Sequence, residues 1–306
     1  MSVEKQVSLH GSRAFITKDD QLAARNGFVA GGAGKPAIIL PGSPDTVAIF
    51  DDFIGDTGRA IRGNTDMYWR ALDGDTGTDT GSNVVVIPGT NGICRIAISD
   101  TNNHSGGVVA VTNGMGFNSN LAWKGNQGAI PTEGRNGLRF GCRVKASGYN
   151  DTGRRISIFA GFTDSIALEA PVYDTGGALQ ATANDAVGFW YSAGADTGWS
   201  ALSVNGGGTP QAVALDNTRQ NNRGGSAVNN SNTYDVLEME LHHGAGDTGG
   251  TVTFYVNGVP KGSIDGPVAM NVALTPQIYI WGNDTGGGQT LDVDWVNVSA
   301  PRDTGV

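Results

Sequence analysis

The sequence predicts an all-β protein arranged as an antiparallel two-sheet sandwich. Glycine supplies 48 of its 306 residues, about twice the usual share, which suits short strands joined by tight turns. Apolar and polar residues alternate along many short segments, and no apolar run keeps helical spacing beyond about ten residues. A chain of this length can bury a sizeable core. Each strand is therefore expected to turn one face toward that core and the other toward water.

The segment VTFYVNGVPKGSI, residues 252–264, carries the clearest strand prediction. Every second residue from Val252 to Val256 is aliphatic or aromatic, and Asn257-Gly258 follows directly. Both turn residues tolerate a positive φ, which a two-residue hairpin requires. The segment is therefore predicted to be a β-hairpin.

Alternation assigns residues to strand faces in two further segments. In VLEMELHH the residues expected to face the core are Leu237, Met239 and Leu241, and those expected to face solvent are Glu238 and Glu240. In LDVDWVNV the residues expected to face the core are Leu291, Val293 and Trp295, and those expected to face solvent are Asp292 and Asp294. More strands are predicted in GLRFGCRVKAS, ISIFAGF, DAVGFWYS and PQIYIWG.

The two cysteines lie in strand-like segments. Cys94 alternates with Ile96, and Cys142 alternates with Phe140 and Val144, so both thiols are expected to point inward. The N-terminus has no apolar signal-peptide segment, and a chain made without one is expected to keep its thiols reduced. Two buried thiols are therefore favoured over a disulfide.

The first 45 residues differ from the rest, because their short apolar groups are broken by Gly and Pro and cannot close a core of their own. We predict an extended N-terminal arm over residues 1–45, the sandwich over residues 46–302 and a C-terminal tail over residues 303–306. The arm is expected to lie along a neighbouring surface. Its expected anchoring residues are Ile38, Ile39, Leu40 and Pro41.

The formal net charge of −9 argues against nucleic acid as a partner, because binding to phosphates requires clustered Lys and Arg. No stretch reaches the roughly eighteen apolar residues of a membrane-spanning helix. We therefore expect neither nucleic acid nor membrane as a partner. Solubility is the simplest role for the acidic charge.

The tripeptide Asp-Thr-Gly, which is typical of the catalytic loops of pepsin-like aspartic proteases, recurs along the chain. Its copies begin at Asp56, Asp75, Asp79, Asp151, Asp174, Asp196, Asp247, Asp284 and Asp303. A protease needs only two copies, each preceded by apolar strand residues, and only Asp174 has such a lead-in, in Val172-Tyr173. Asp caps a turn and Gly accepts a positive φ there, so turn tips are the favoured interpretation.

A metal site is conceivable in the loop that contains Asp73, Asp75 and Asp79, because three carboxylates there offer hard oxygen ligands for calcium. No bidentate Glu closes the loop, so a plain acidic turn is favoured. Calcium is the one cofactor that the sequence suggests.

The run Asp292-Val293-Asp294-Trp295 resembles the carboxylate spacing of laminarinase-type glucanases, in which alternate acidic residues line a sugar groove. Asn297 stands where that pattern needs a general acid. A solvated strand face beside a core tryptophan is therefore favoured, and no catalytic residue is assigned.

Eight segments together are similar to one family. They are FDDFIGD, LAWKGNQGAIPTEGRNGLRFGCRVK, IFAGFTDSIALEAPV, NDAVGFWYS, TYDVLEMELHH, TVTFYVNGVPKG, LTPQIYIWG and LDVDWVNVSAP. Over roughly residues 48–300 the chain resembles the concanavalin A-like (laminin G-like) jelly-roll proteins of tailed-bacteriophage virions. The resemblance implies a jelly-roll sandwich and a non-enzymatic structural protein of the virion.

Within that family the resemblance implies a capsid decoration or cement protein. Such a protein would bind the major capsid protein and stabilise the head. It would be assembled in the bacterial cytoplasm and lie on the capsid surface of the virion. Analogy with other decoration proteins predicts self-association as a homotrimer.

Two other functions stay open at the level of sequence. A carbohydrate-binding module of a tail or head fibre could stack sugars on Trp123, Trp190, Trp199 and Trp281 if these residues share a concave face. A glycan hydrolase or an aspartic protease is the more remote alternative.

Overall fold

The computed structural model describes part of the chain, and every statement below concerns that part. The described residues are 5–9, 12–16, 46–51, 53, 69–73, 83–87, 92–98, 105–110, 123–124, 138–147, 156–165, 170–174, 178–192, 198–215, 234–243, 250–268, 272–282 and 289–301. They contain strands, turns and bends, and no helix long and apolar enough to cross a membrane occurs among them.

In chain order the strands are β1 (Lys5–Leu9), β2 (Ser12–Ile16), β3 (Thr46–Asp51), β4 (Trp69–Asp73), β5 (Asn83–Ile87), β6 (Ile93–Ile98), β7 (Ser105–Ala110), β8 (Trp123–Lys124), β9 (Leu138–Ser147), β10 (Ile156–Thr163), β11 (Val172–Asp174), β12 (Leu179–Ala181), β13 (Ala186–Ser192), β14 (Ser200–Val204), β15 (Gln211–Ala214), β16 (Asp235–His243), β17 (Gly250–Val256), β18 (Val259–Asp265), β19 (Ala273–Gly282) and β20 (Gln289–Pro301).

Two large antiparallel sheets form the body of the protein. Sheet I has the spatial order β15-β14-β13-β10-β19-β7-β4, with β8 paired to one end of β19. Sheet II has the order β18-β17-β16-β9-β20-β6-β5, with β3 also paired to β20. Neighbouring strands are often distant in sequence, so the chain crosses repeatedly between the sheets. The predicted all-β, two-sheet antiparallel jelly-roll sandwich is confirmed.

A continuous apolar core lies between the two sheets. Sheet II contributes alternate residues such as Leu237, Met239 and Leu241, which are buried as the sequence predicts. Sheet I contributes Ile278 and Ile280 from β19, together with alternate residues of β10 and β13. Because strand side chains alternate between faces, this core leaves one outer face on each sheet.

The predicted hairpin is confirmed. Strands β17 and β18 pair in antiparallel fashion, and the turn between them is Asn257-Gly258, with φ of 53° and 74°. Asn257 also joins the turn to β16, because its Oδ1 accepts a hydrogen bond from the backbone N–H of Val236 at 2.9 Å. Cys94 and Cys142 are buried and form no disulfide, as predicted.

The outer face of sheet I is covered by a second apolar cluster. The cluster includes Phe159, Trp190 and Tyr279 from sheet I. The hairpin of β11 and β12, which pairs only with itself among the described strands, contributes Val172 and packs against this face. Sheet I is therefore apolar on both faces, which explains why every residue of β13 is buried.

The predicted N-terminal arm is described only in part. Strands β1 and β2 form an antiparallel two-stranded sheet of their own, which is more regular than the extended conformation expected there. Its predicted anchors, Ile38, Ile39, Leu40 and Pro41, lie outside the described residues, so the anchoring role stays a prediction. Of the Asp-Thr-Gly copies, only the one at Asp174 begins within the described residues, where Asp174 is the last residue of β11.

Candidate functional site

An open groove of about 200 Å³ lies on the outer face of sheet II. Four adjacent strands build it, because outward residues of β17, β16, β9 and β20 stand side by side in the sheet register. Tyr255 is paired with Glu238, Glu238 with Gly141, and Gly141 with Asn297. The neighbouring row contains Glu240, Arg139 and Ser299. The groove is thus lined mainly by polar side chains that reach solvent.

Gly141 keeps the middle of this groove open. A Cβ at that position would lie 3.3 Å from Cζ3 of Trp295 and 3.5 Å from Cγ of Glu238. The Trp295 ring therefore lies beside the glycine, close to the stem of Glu238. A side chain at residue 141 would occupy the space between the acidic residue and the aromatic ring.

Trp295 reaches this face through a β-bulge, which corrects the prediction that it belongs to the core. The register of β20 against β9 shifts between Val293 and Trp295. One extra residue in a strand reverses the alternation of side chains beyond it. Val296 and Val298 consequently take the inward positions, and Trp295 is half-buried on the outer face.

Glu238 is the carboxylate in the groove with a shifted pKa. The residue is exposed, yet partial burial of its carboxyl group raises its pKa, and the nearby Arg139 guanidinium lowers it by a smaller amount. Desolvation disfavours the charged carboxylate, so Glu238 holds its proton at a higher pH than an ordinary glutamate. A carboxylic acid of this kind is suited to donating a proton to a bound molecule.

Glu240 has a different environment two residues along the same strand face. Arg139 donates to its Oε1 from Nε at 2.8 Å and also from Nη2. Both side chains are partly exposed, at 26% for Arg139 and 17% for Glu240. The ion pair fixes the direction of the Glu240 carboxylate at the edge of the groove.

The acidic pair on β20 is occupied by ion pairs. Asp292 is only 1% exposed and accepts hydrogen bonds from Nε and Nη2 of Arg95 at 2.6 and 2.9 Å, with Nζ of Lys145 at 3.4 Å. Asp294 is paired with Arg143. The solvated strand face expected here is therefore wrong for both residues, because cationic residues on β6 and β9 cover Asp292, and Asp294 is buried beside Arg143. No glucanase-like role for this pair follows.

An aromatic ring completes this charged patch. The guanidinium of Arg143 lies over the ring of Tyr234, 4.3 Å from its centroid, and Nζ of Lys145 lies at 5.2 Å. Burial raises the pKa of the Tyr234 phenol, and Asp292 and Asp294 raise it further. The patch is an internally paired network that stabilises the face beside the groove.

The tryptophans considered for sugar stacking do not share one exposed face. Trp190 is buried in the outer cluster of sheet I, and Trp199 is buried in the core between the sheets. Trp281 is partly buried and makes an edge contact with Tyr173 at 5.7 Å between ring centroids. Trp123 lies on β8, and its side chain is outside the described part of the chain.

The three residues predicted as calcium ligands lie only partly within the described residues. Asp73 ends β4, while Asp75 and Asp79 lie outside the described residues. Within the described part of the chain, no group of three or more His, Cys, Asp or Glu side chains could hold a metal ion.

Sequence reasoning identified Glu238 and Glu240 as solvent-facing residues but did not connect them with a site. The sequence pattern that could have indicated the site was two glutamates on one strand face, next to a strand whose glycine lies on the same face of the sheet. That signal requires the pairing of β16 with β9, which brings Gly141 next to Glu238 and cannot be inferred from either segment alone.

Comparison with known proteins gives fold similarity at low sequence identity. No protein-family model and no curated protein sequence matches the chain. The endo-1,3-β-glucanase of Streptomyces sioyaensis is 15% identical, with a TM-score of 0.49 over 87% of this chain and 99% of that one. A Bacillus licheniformis β-glucanase is 14% identical, with a TM-score of 0.43 over 82% of this chain and 97% of that one. A carbohydrate esterase of Shiga toxin-encoding bacteriophage phi24B is 13% identical, with a TM-score of 0.39 over 76% and 89%.

These comparisons correct the predicted function. The similar structures include several glycoside hydrolases and a glucuronan lyase, and they give no support to a non-enzymatic virion decoration protein. That prediction and the prediction that the chain is not an enzyme are therefore withdrawn. The sequence resemblance rested on the order of the strands, and proteins of different function share that order. The predicted partners, homotrimer and location are not tested and stay predictions. The chain has an all-β, antiparallel jelly-roll sandwich fold.

Proposed function

We propose that the chain is a glycan-cleaving enzyme whose site is the groove on sheet II. The observation that carries the proposal is a pair of carboxylates on one strand face in two different environments. Burial raises the pKa of Glu238, whereas Arg139 binds and orients Glu240. Hydrolysis of a glycosidic bond needs two carboxyl groups whose surroundings suit them to different steps.

The proposed step uses Glu238 as the general acid. Its carboxyl proton passes to the glycosidic oxygen as the bond between that oxygen and the anomeric carbon breaks. Glu240 accepts a proton from a water molecule, whose oxygen forms the new bond to the anomeric carbon. One water is consumed, and two sugars with free hydroxyl groups are released.

The spacing along β16 is compatible with this step. Two residues apart on one strand, Glu238 and Glu240 have Cα atoms about 7 Å apart. An attacking water needs about 6.5 to 9.5 Å between the two carboxyl groups, a separation that side chains extending from these two positions can reach. The other groups that line the groove suit a sugar, because Tyr255 offers an aromatic ring and Asn297 and Ser299 offer hydrogen bonds.

The test is hydrolysis of a panel of soluble β-glucans by the purified full-length chain, measured as newly formed reducing ends. We expect E238Q to lower the rate by about 10²- to 10⁴-fold, as is usual for loss of a general acid. Asp265→Asn is the matched control, because Asp265 is an exposed carboxylate on β18 that is hydrogen-bonded to Thr251. Its rate should equal that of the wild type.

Two results would contradict the proposal. Release of no reducing ends from any glucan by the wild type would exclude hydrolysis of this substrate class, even if binding to a glucan were observed. Equal loss in the Glu238 and Asp265 variants would show that the effect is general rather than specific to the groove.

A further inference from the structure

Gln277 lies near the middle of sheet I and is fully buried. It is on β19, between Gly161 of β10 and Val109 of β7 in the sheet register. Ile278 and Ile280, which follow it on the same strand, point into the core between the sheets. Gln277 is 0% exposed, so its amide belongs to the covered outer face of sheet I.

The Gln277 amide has no hydrogen-bond partner among the described residues. Neither Nε2 nor Oε1 is within hydrogen-bonding range of a protein group. An unpaired amide in a dry interior loses its hydration without compensation, and buried polar groups in proteins are nearly always paired. A partner that is not among the described residues is the physical remedy.

On one side along its strand, Gln277 has a polar neighbour on the same face. Along the outer face of β19 the next residue toward the N-terminus is Thr275, and the next in the other direction is Tyr279. Across the sheet, the adjacent positions Gly161 and Gly188 have no side chains. The positions directly beside the amide on β10 and β13 therefore carry no side chain, whereas Phe159 and Trp190 are buried one position further along the same face.

We propose that Gln277 binds hydroxyl groups beneath the cover of sheet I. A hydroxyl both accepts and donates, so it can take the Nε2 hydrogen and donate to Oε1. Because the amide carries no charge, it does not favour an ionic ligand over a neutral one. The hydroxyl is supplied either by an internal water or by a saccharide, and this site is independent of the proposed enzyme site because it lies on the other sheet.

The test compares wild type with Q277M, whose side chain has similar length and no amide. For an internal water, oxygen-17 relaxation dispersion should detect at least one fewer long-lived water in Q277M. Urea unfolding should show a folding equilibrium constant lowered by about threefold to tenfold, the usual effect of losing one hydrogen bond. Gln211→Met on the exposed strand β15 is the matched control and should change neither quantity.

A saccharide source would produce a different pattern. Wild type and Q277M would then contain equal numbers of long-lived waters, and soluble oligosaccharides would raise the Tm of wild type but not that of Q277M. A Q277M variant that is more stable than wild type, with no difference in water and no saccharide response, would overturn the proposal, because an amide without any partner is stabilising to remove. Should Q277M fail to fold, wild type that lacks both a long-lived internal water and a saccharide response overturns it equally.

Discussion

The outer faces of the two sheets have the same strand geometry but differ in side-chain chemistry and in exposure to solvent. On sheet II the outward residues are charged or polar, and they form ion pairs around an open groove. On sheet I the outward residues include buried aromatic side chains beneath the β11–β12 hairpin. Titratable groups reach solvent on sheet II, which is where the proposed site lies. The outer face of sheet I contributes mainly to stability.

The largest expected difference in stability between the two outer faces comes from replacing one glycine on each, Gly161 on sheet I and Gly141 on sheet II. At Gly161 a Cβ would lie 2.3 Å from the carbonyl oxygen of Val187 and 2.5 Å from Cα of Gly188, so a side chain there would push two backbones apart. At Gly141 the nearest atom to an added Cβ belongs to the Trp295 ring, at 3.3 Å. The backbone of a packed sheet cannot move to relieve such a close contact, whereas a side chain on an open face can.

We therefore expect G161A to lower the free energy of unfolding by about 3 kcal/mol and G141A by less than about 1 kcal/mol. Urea denaturation of the two variants measures both values. Because residue 141 lies between Glu238 and Trp295, G141A should also reduce glucan hydrolysis. Equal destabilisation by the two variants would contradict the distinction between a packed face and an open one.

The buried ion pairs of sheet II give a smaller effect. D292N keeps the shape of the side chain but removes the charge that Arg95 and Lys145 share. Those cations remain partly exposed, at 36% and 23%, so water compensates for part of the loss. We expect the free energy of unfolding to fall by about 2 kcal/mol, less than for a fully enclosed pair.

Denaturation in urea at neutral pH measures this loss, and D265N supplies the comparison with an exposed aspartate. Because Asp265 is exposed, its variant should be within about 0.5 kcal/mol of wild type. Equal stability of D292N and D265N would show that the network beside the groove does not hold sheet II together.

Local patterns predicted the strands and much of sheet II, because one face of that sheet meets water. The alternation of Leu237 with Glu238 is of this kind, and so is the Asn257-Gly258 turn. Trp295 was misplaced, since a bulge shifts register through backbone pairing that no residue type in β20 signals. The face of Gln277 was not predicted at all, because a strand that is buried on both sides has no alternation to read.

The smallest predicted effect is the pH dependence that Glu238 confers on stability. Burial raises its folded-state pKa above the unfolded value, so the folded protein binds the proton more tightly than the unfolded chain does. Stability from this residue is therefore greatest below the unfolded pKa and falls as pH rises through the folded pKa. Relative to wild type, E238Q should be slightly more stable at neutral pH, and the difference should vanish in acid.

The measurement is urea unfolding of wild type and E238Q at a series of pH values, with D265N in parallel. Glu238 is exposed, so solvent screening keeps the effect small, and the sign of its slope is the decisive quantity. An E238Q variant that is less stable than wild type at neutral pH, with a difference that vanishes in acid, would mean that Arg139 dominates over burial at Glu238. The residue would then be held as a carboxylate and could not serve as the proton donor of the groove.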